Sequence, residues 1–261
     1  MKVVKIMTEN NTSFDYESKG EYYPSYRRSD PRIEKYIHKE LGNAKTILNV
    51  GAGAGSYEPE DRYVVAVEPS MIMRSHRLAY QKVPAVIGTA QALPFDENSF
   101  DVSMAILTIH HWPDWKKGLQ EMKRVTKQKI LILTFDAELL GNSWTSYYFP
   151  EIFEVEKKRY PSIESLIEEL GDKCTVQTIP VPFDCTDGFR EAYFGRPEEL
   201  LKKEVRQVQS AWGFLQPGIE DMKVKILANE LKTGEWDKKF GKFRSMSEFS
   251  NALKLITALP E

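Results

Sequence analysis

The chain has little cysteine, almost no net charge and no long apolar run. Its two cysteines, Cys174 and Cys185, lie eleven apart. That argues against a disulfide framework, and without a histidine cluster beside them they do not make a metal site. Lysine plus arginine number 36 against 38 for aspartate plus glutamate, a net charge of −2, so there is no general affinity for nucleic acid. No apolar stretch approaches the roughly 20 residues of a membrane span. Met1-Lys-Val-Val-Lys-Ile-Met7 is too short an apolar run for a signal peptide. There is no internal repeat and no low-complexity tract. The expectation is a cytoplasmic, metal-free protein whose partners include neither nucleic acid nor membrane. A length of 261 residues with 41% apolar content fits one large α/β domain with an added subdomain. Oligomeric state is not legible, and a homodimer is one open state.

What is present centres on Thr46-Ile-Leu-Asn-Val-Gly-Ala-Gly-Ala-Gly-Ser56. A β-branched run that stops at Gly-x-Gly-x-Gly reads as a buried parallel strand feeding a turn. Gly51, Gly53 and Gly55 tolerate positive φ and let the backbone approach a ligand closely. The next apolar run, Tyr63-Val-Val-Ala-Val67, closes on Glu68, an acid placed to accept both hydroxyls of a ribose. A dinucleotide site wants Gly-x-Gly-x-x-Gly with a pyrophosphate on a helix N-terminus. Here Ser56 stands at the third glycine position, and Tyr57-Glu58-Pro59-Glu60-Asp61-Arg62 is a poor helix whose acids crowd the phosphate position. A nucleoside ligand without phosphates fits better, and S-adenosylmethionine is one.

The run Leu48-Asn-Val-Gly-Ala-Gly-Ala-Gly55, then Val67-Glu-Pro-Ser70, Ala92-Leu-Pro-Phe95, Phe100-Asp-Val102 and His110-His-Trp112, in this order and spacing, resembles the class I S-adenosylmethionine-dependent methyltransferases, in their small-molecule, UbiE-like branch. The resemblance covers about residues 44–135. It implies an α/β Rossmann-like, doubly wound sheet of seven strands, mostly parallel with the last antiparallel. It implies S-adenosyl-L-methionine as cofactor, with Gly51, Ala52, Gly53, Gly55, Glu68 and Pro69 around it. Thr89 stands where the family usually carries an aspartate on the adenine amino group, so Thr89, Gln91 or the Ala90 backbone must supply that contact. The aromatic leader before the first strand, residues 8–30, looks like the family's N-terminal lid, with Tyr26 and Arg28 as candidates for the methionine carboxylate or the acceptor.

The remaining segments follow from pattern. Ile33, Tyr36, Ile37 and Leu41 at helical spacing, with Asp30-Pro31 before and Gly42 after, predict a helix over 32–41. Strands are expected at 46–50, 63–67, 85–87, 100–107, 129–135, 174–183 and 251–257, and helices from Met71 to about Gln81, from Trp115 to Val125, and after Ser162. Met71 sits where it can cover the adenine. Ligands of open α/β sheets bind outside the carboxyl ends of the strands. That places Ala105 near the cofactor's amino acid and His110 and His111 near the transferred methyl, where either could accept a proton or simply pack the loop.

The aromatic segment 137–160, with Trp144, follows the fifth strand toward the methyl end. The stretch Asp184-Cys-Thr-Asp-Gly-Phe189, with Tyr193-Phe-Gly-Arg-Pro197, resembles a pattern in a branch of bacterial small-molecule methyltransferases. Asp184 and Asp187 are candidates to orient the acceptor. Residues 184–247 read as a helical cap inserted in a core of 1–183 and 248–261. Three further readings stand beside methyl transfer to a small molecule: a nicotinamide-dependent oxidoreductase, a non-catalytic or cofactor-modifying S-adenosylmethionine-binding protein, and a nucleic-acid methyltransferase. The charge balance and the missing Asn/Asp-Pro-Pro-Tyr/Phe motif weaken the last.

Overall fold

A six-stranded sheet forms the centre of the protein, in a computed structural model that describes residues 23–260. Its order is β2 (Tyr63–Val67), β1 (Thr46–Val50), β3 (Phe100–Ile106), β4 (Thr126–Phe135), β8 (Leu253–Ala258) and β5 (Cys174–Thr178). The first four strands are parallel, with Val50 opposite Val67, Leu48 opposite Ser103 and Ile106 opposite Leu133. β8 runs antiparallel to both of its neighbours, pairing Leu133 with Leu255 and Val176 with Ile256. β1 and β2 match their expected bounds.

The third of the seven expected strands, at 85–87, is a correction. It contributes a single parallel bridge, Val67 to Val86, outside β2. Ile87 is exposed and Pro84 can donate nothing to a ladder, so pairing stops after one step. The strand expected over 174–183 is divided by Pro180. Val181–Pro182 (β6) leaves the sheet and pairs with Glu248–Phe249 (β7).

Side chains alternate between the sheet's two faces, as a period of two requires. Ile47, Met104, Leu131, Leu133 and Leu255 face one core, closed by Ile33, Ile37 and Leu41 of the Pro31–Leu41 helix. Leu48, Ala105, Ile130, Ile132 and Ile256 face the other, covered by Leu119, Met122 and Val125 and by Leu166. The Pro31–Leu41 helix starts where the Asp30 carboxylate accepts the amide of Arg32 at 2.9 Å. The Met71–Ala79 helix starts where the Ser70 hydroxyl accepts the amide of Met73 at 3.2 Å.

Short helical turns carry the chain from Arg190 to Phe214, before longer helices at Ile219–Thr233 and Glu235–Phe240. Met222 and Ile226 are exposed, and Leu227 alone of that helix is fully buried. Phe194, Trp212, Trp236 and Phe243 of this region join the same apolar cluster as the sheet's first face. Among the described residues no helix is long and apolar enough to cross a membrane.

Candidate active site

A cleft of about 530 Å³ opens at the carboxyl ends of β1, β2 and β3. Its floor is the glycine turn. Gly51 and Gly53 have φ of +66° and +52°, the left-handed region where a Cβ is costly. The amides of Gly51 and Ala52 both donate to the Val67 carbonyl, at 2.9 and 3.0 Å, folding the turn onto the end of β2. A Cβ at Gly51 would collide with the Thr108 side chain, and one at Gly53 would come within 3.3 Å of the Met73 methyl. The floor stays open because these side chains are missing.

Glu68 ends β2 and is 7% exposed. Its Oε2 accepts the Gly53 amide at 2.7 Å and its Oε1 accepts the Ser70 amide at 2.9 Å. Burial raises its pKa, and the two amide hydrogens pull against that rise. Gln91 Nε2 and Asn49 Oδ1, both on residues of the cleft wall, are buried and have no hydrogen-bond partner among the described residues. A donor and an acceptor left unmet in this way fit a ligand that supplies both.

The far wall of the cleft is polar. Tyr57 is buried at φ +62°, unusual for a residue with a side chain. Its hydroxyl donates to Asp187 Oδ2 at 3.0 Å, while Arg27 Nε donates to Asp187 Oδ1 at 2.6 Å. Burial and the Asp187 charge hold the Tyr57 phenol well above its ordinary pKa, so it is a donor at any working pH. Among the described residues Arg27 is the one arginine or lysine lining the cleft, against the carboxylates of Glu68 and Asp187. That balance suits an adenosyl group carrying a cation and does not suit a diphosphate.

Behind Arg27, Leu107 and His111 lies a second chamber of about 50 Å³, walled by Phe135, Tyr160 and Phe189. Leu107 has φ +50°, turning the chain out of β3 at the join between the two spaces. His110 stacks on Tyr160 with ring centroids 4.3 Å apart and lies 4.0 Å from the His111 ring. Both imidazoles are held well below the usual histidine pKa. Burial is the main cause, with the charges of Arg159 and Arg27 adding to it. Arg159 Nη2 contacts His111 Nδ1 at 3.0 Å. A guanidinium only donates, so Nδ1 accepts and the neutral His111 ring carries its proton on Nε2.

The structure brings together at the cleft wall Gly51, Ala52, Gly53, Glu68, Pro69, Thr89, Ala90, Gln91, His111 and Asp187. Gly55 lies behind the turn at φ +93°, against Arg77 and Glu58. Ala105 is fully buried one residue before the wall at Ile106. His110 faces the second chamber only. Met71 is 64% exposed, and Met73, two residues further along the helix, takes the wall position. Tyr26 meets the 184–189 loop through its carbonyl, which accepts the Gly188 amide at 2.7 Å. Arg28 is exposed, and its neighbour Arg27 stands at both spaces.

Trp144 is core: its indole N–H donates to the Phe194 carbonyl at 2.7 Å and its ring packs edge-on against Trp236. Asp184 is a surface residue paired with Arg32 at 2.6 Å. The lid residues before 23 lie outside the described residues. Asn49, Met73, Thr108 and Trp112 are wall residues that pattern did not single out. Asn49 and Trp112 at least lie inside motifs already quoted. Among the described residues no group of three His, Cys, Asp or Glu side chains could hold a metal ion.

Comparison with known proteins places this geometry in company. A family model described as a methyltransferase domain matches residues 48–133. A crystal structure from Anabaena variabilis, provisionally assigned as a methyltransferase from an antibiotic biosynthesis pathway, superposes with a TM-score of 0.81. It is 30% identical and covers 89% of this chain and 98% of its own. The uncharacterized methyltransferase YcgJ of Bacillus subtilis is 32% identical over 100 residues, 34% of this chain and 40% of its own length. Geranyl diphosphate C-methyltransferase of Streptomyces coelicolor, solved with S-adenosyl-L-homocysteine, shares the fold at a TM-score of 0.50. It is 16% identical over 87% of this chain and 78% of its own.

Proposed function

We infer that this chain, which belongs to the class I S-adenosylmethionine-dependent methyltransferase family, methylates a small molecule held beyond His111. The methyl donor and the reaction class follow from that membership: S-adenosylmethionine supplies an electrophilic methyl group when bound. The observation that carries the acceptor reading is the join itself. An adenosyl-sized cleft with a glycine floor and a carboxylate at the end of β2 meets a small aromatic-walled chamber across Arg27, Leu107 and His111.

In this reading Glu68 takes the ribose hydroxyls. Gln91, with Thr89 and the Ala90 backbone, takes the adenine edge. Arg27 and Asp187 take the methionine end, the part that pattern had given to Tyr26 and Arg28. His111 presents Nε2–H, not a lone pair, so it orients an acceptor atom by donating to it. Rate enhancement then comes mainly from in-line positioning, which can contribute on the order of 7–11 kcal/mol. Residues 184–247 act as an insertion on a core of 1–183 and 248–261. Support for this comes from the chamber, where Phe189, Arg190, Gln209 and Ser210 of that segment meet Leu107 and Phe135 of the sheet. A chamber this small favours a metabolite over a macromolecule, and the near-zero net charge agrees.

The test is transfer from methyl-labelled cofactor into a cell extract divided into small-molecule, RNA and protein fractions. Label is expected in the small-molecule fraction. Label confined to RNA or protein would overturn the acceptor reading while leaving the family assignment standing.

A further inference from the structure

Three arginines and three carboxylates surround the second chamber, but their pairing is incomplete. Arg27 is matched by Asp187 at 2.6 Å and Arg190 by Glu156 at 3.1 Å. Glu191, fully buried nearby, is held by the Asn251 side chain at 2.8 Å. Arg159 has no carboxylate within ion-pair reach among the described residues, although it is only 7% exposed. Its Nη1 donates to Ser210 Oγ at 3.0 Å and its Nη2 to His111 Nδ1 at 3.0 Å, and both recipients line the chamber. Its Nε has no partner among the described residues. One face of the guanidinium rests on the Phe214 ring at 4.7 Å.

A buried cation without a counter-charge is costly, several kcal/mol even after relaxation. Such a site persists where a ligand completes it. Among the described residues His110 Nδ1 is also buried on the chamber wall without a hydrogen-bond partner. Arg190 Nε and Glu156 Oε2 face each other at 3.1 Å and answer one another as an ion pair.

We propose that this chamber receives an anionic group of the acceptor, of the carboxylate class, whose charge answers Arg159 through Ser210 and His111. The reading rests on the small-molecule methyltransferase assignment above and names the acceptor's chemistry. Size agrees. A cavity needs on the order of 10–15 Å³ to hold one water, so about 50 Å³ has room for three or four non-hydrogen atoms, and a carboxylate has three. The Ser210 hydroxyl, which accepts from Arg159 and lines the chamber, is a donor of the kind an anion requires.

Benzoate, benzamide and benzamidine have nearly the same shape and carry negative, zero and positive charge. Their affinities for the full-length protein saturated with S-adenosyl-L-homocysteine, by calorimetry, test the proposal. Benzoate is expected to bind roughly tenfold tighter than either of the others, the worth of one charge-assisted hydrogen bond. Arg159→Met is expected to abolish that preference with S-adenosyl-L-homocysteine affinity within about twofold of wild type, and Arg159→Lys to retain most of it.

Equal or weaker binding of benzoate overturns the proposal, as does a benzoate preference that survives Arg159→Met. The wild-type ranking decides by itself if Arg159→Met does not fold. Failure of the wild-type protein to bind S-adenosyl-L-homocysteine would be a different result, removing the assignment on which this one rests.

Discussion

The carboxylate of Glu68 accepts the backbone amide of Gly53 at 2.7 Å, so the end of β2 and the middle of the glycine turn hold each other in place. The same carboxylate reaches the Ser70 amide, tying the turn to the start of the next helix. Glu68→Gln keeps the size and removes the charge. It is expected to weaken S-adenosyl-L-homocysteine binding by about 1.5–3 kcal/mol, the range for a hydrogen bond to a charged group. Because burial raises the Glu68 pKa, cofactor affinity should begin to fall, as pH is lowered, above the usual carboxylate range. Calorimetry on the variant and across pH measures both, and unchanged affinity in Glu68→Gln would sink the ribose assignment.

Gly51 and Gly42 separate strain from collision. Both have positive φ, +66° and +53°. A Cβ at Gly42 meets nothing within 4 Å, whereas at Gly51 it runs into the Thr108 side chain. Gly42→Ala is expected to cost about 1–2 kcal/mol from backbone strain alone. Gly51→Ala should cost more and also weaken cofactor binding, because relief requires Thr108 or the turn to move into the cleft. Denaturant melts with cofactor titrations distinguish them, and equal behaviour of the two variants would refute the collision argument.

How far the sequence reached depended on the kind of signal. Period-two burial and glycine punctuation are local, so β1, β2 and the Pro31–Leu41 helix were legible almost to the residue. Glu68 was legible because a strand end fixes its position. The failures are of other kinds. Arg27 and Arg28, or Met71 and Met73, differ by one or two positions, and only the rotation of a short segment decides which reaches the cleft. Asp184 and Asp187 look alike in sequence, yet Asp187 is buried between Arg27 and Tyr57 while Asp184 pairs with Arg32 at the surface. Such choices depend on residues up to 160 positions away. The expected strand at 85–87 had the right residue types but lacked a partner beyond one bridge.

Glu58, read as one of the acids crowding the phosphate position, is buried and makes a two-pronged pair with fully buried Arg77, at 2.8 and 3.0 Å. Asn49 adds a third hydrogen bond at 2.9 Å. This pair staples the loop after the glycine turn to the Met71–Ala79 helix. Glu58→Gln strands the Arg77 charge, so a loss of about 3–5 kcal/mol is expected. Replacing both partners by methionine should cost much less, because no lone charge remains. Chemical denaturation of the single and double variants tests this, and a single variant as stable as the double would show the pair to be inert.

Glu191 makes a pH-dependent contribution of definite sign. Full burial pushes its pKa up from 4.5 to about 7. Between those values the folded protein keeps a proton that the unfolded chain has released, so stability falls as pH rises through that window and levels off above it. The gap corresponds to roughly 3 kcal/mol. The buried histidines act oppositely, losing stability as pH falls below the ordinary histidine value, since their folded pKa values are depressed. The difference between wild type and Glu191→Gln therefore isolates the glutamate. Glu191→Gln is expected to gain stability relative to wild type as pH rises from 5 to 8, read as the change in melting temperature at several pH values. A difference that stays constant with pH would show that Glu191 is already ionised in the folded protein.

The Arg159–His111 contact carries an expectation for the pH profile of turnover. With Nδ1 accepting from Arg159 and burial and cationic neighbours depressing its pKa, His111 stays neutral from mildly acidic pH upward. The rate profile should then show no inflection near the ordinary histidine pKa of about 6.5, and NMR should find no imidazole titration for His111 there. Replacing Arg159 with methionine removes the largest charge acting on the ring but leaves its burial, so the His111 pKa should rise part of the way back. His111→Gln keeps an amide donor near the Nε2 position and should retain more turnover than His111→Ala, because the role proposed for His111 is orientation. If turnover instead followed a single ionisation near 6.5 that both His111 substitutions abolished, His111 would be acting as the proton acceptor. The tautomer argued from Arg159 would then be wrong in the working enzyme.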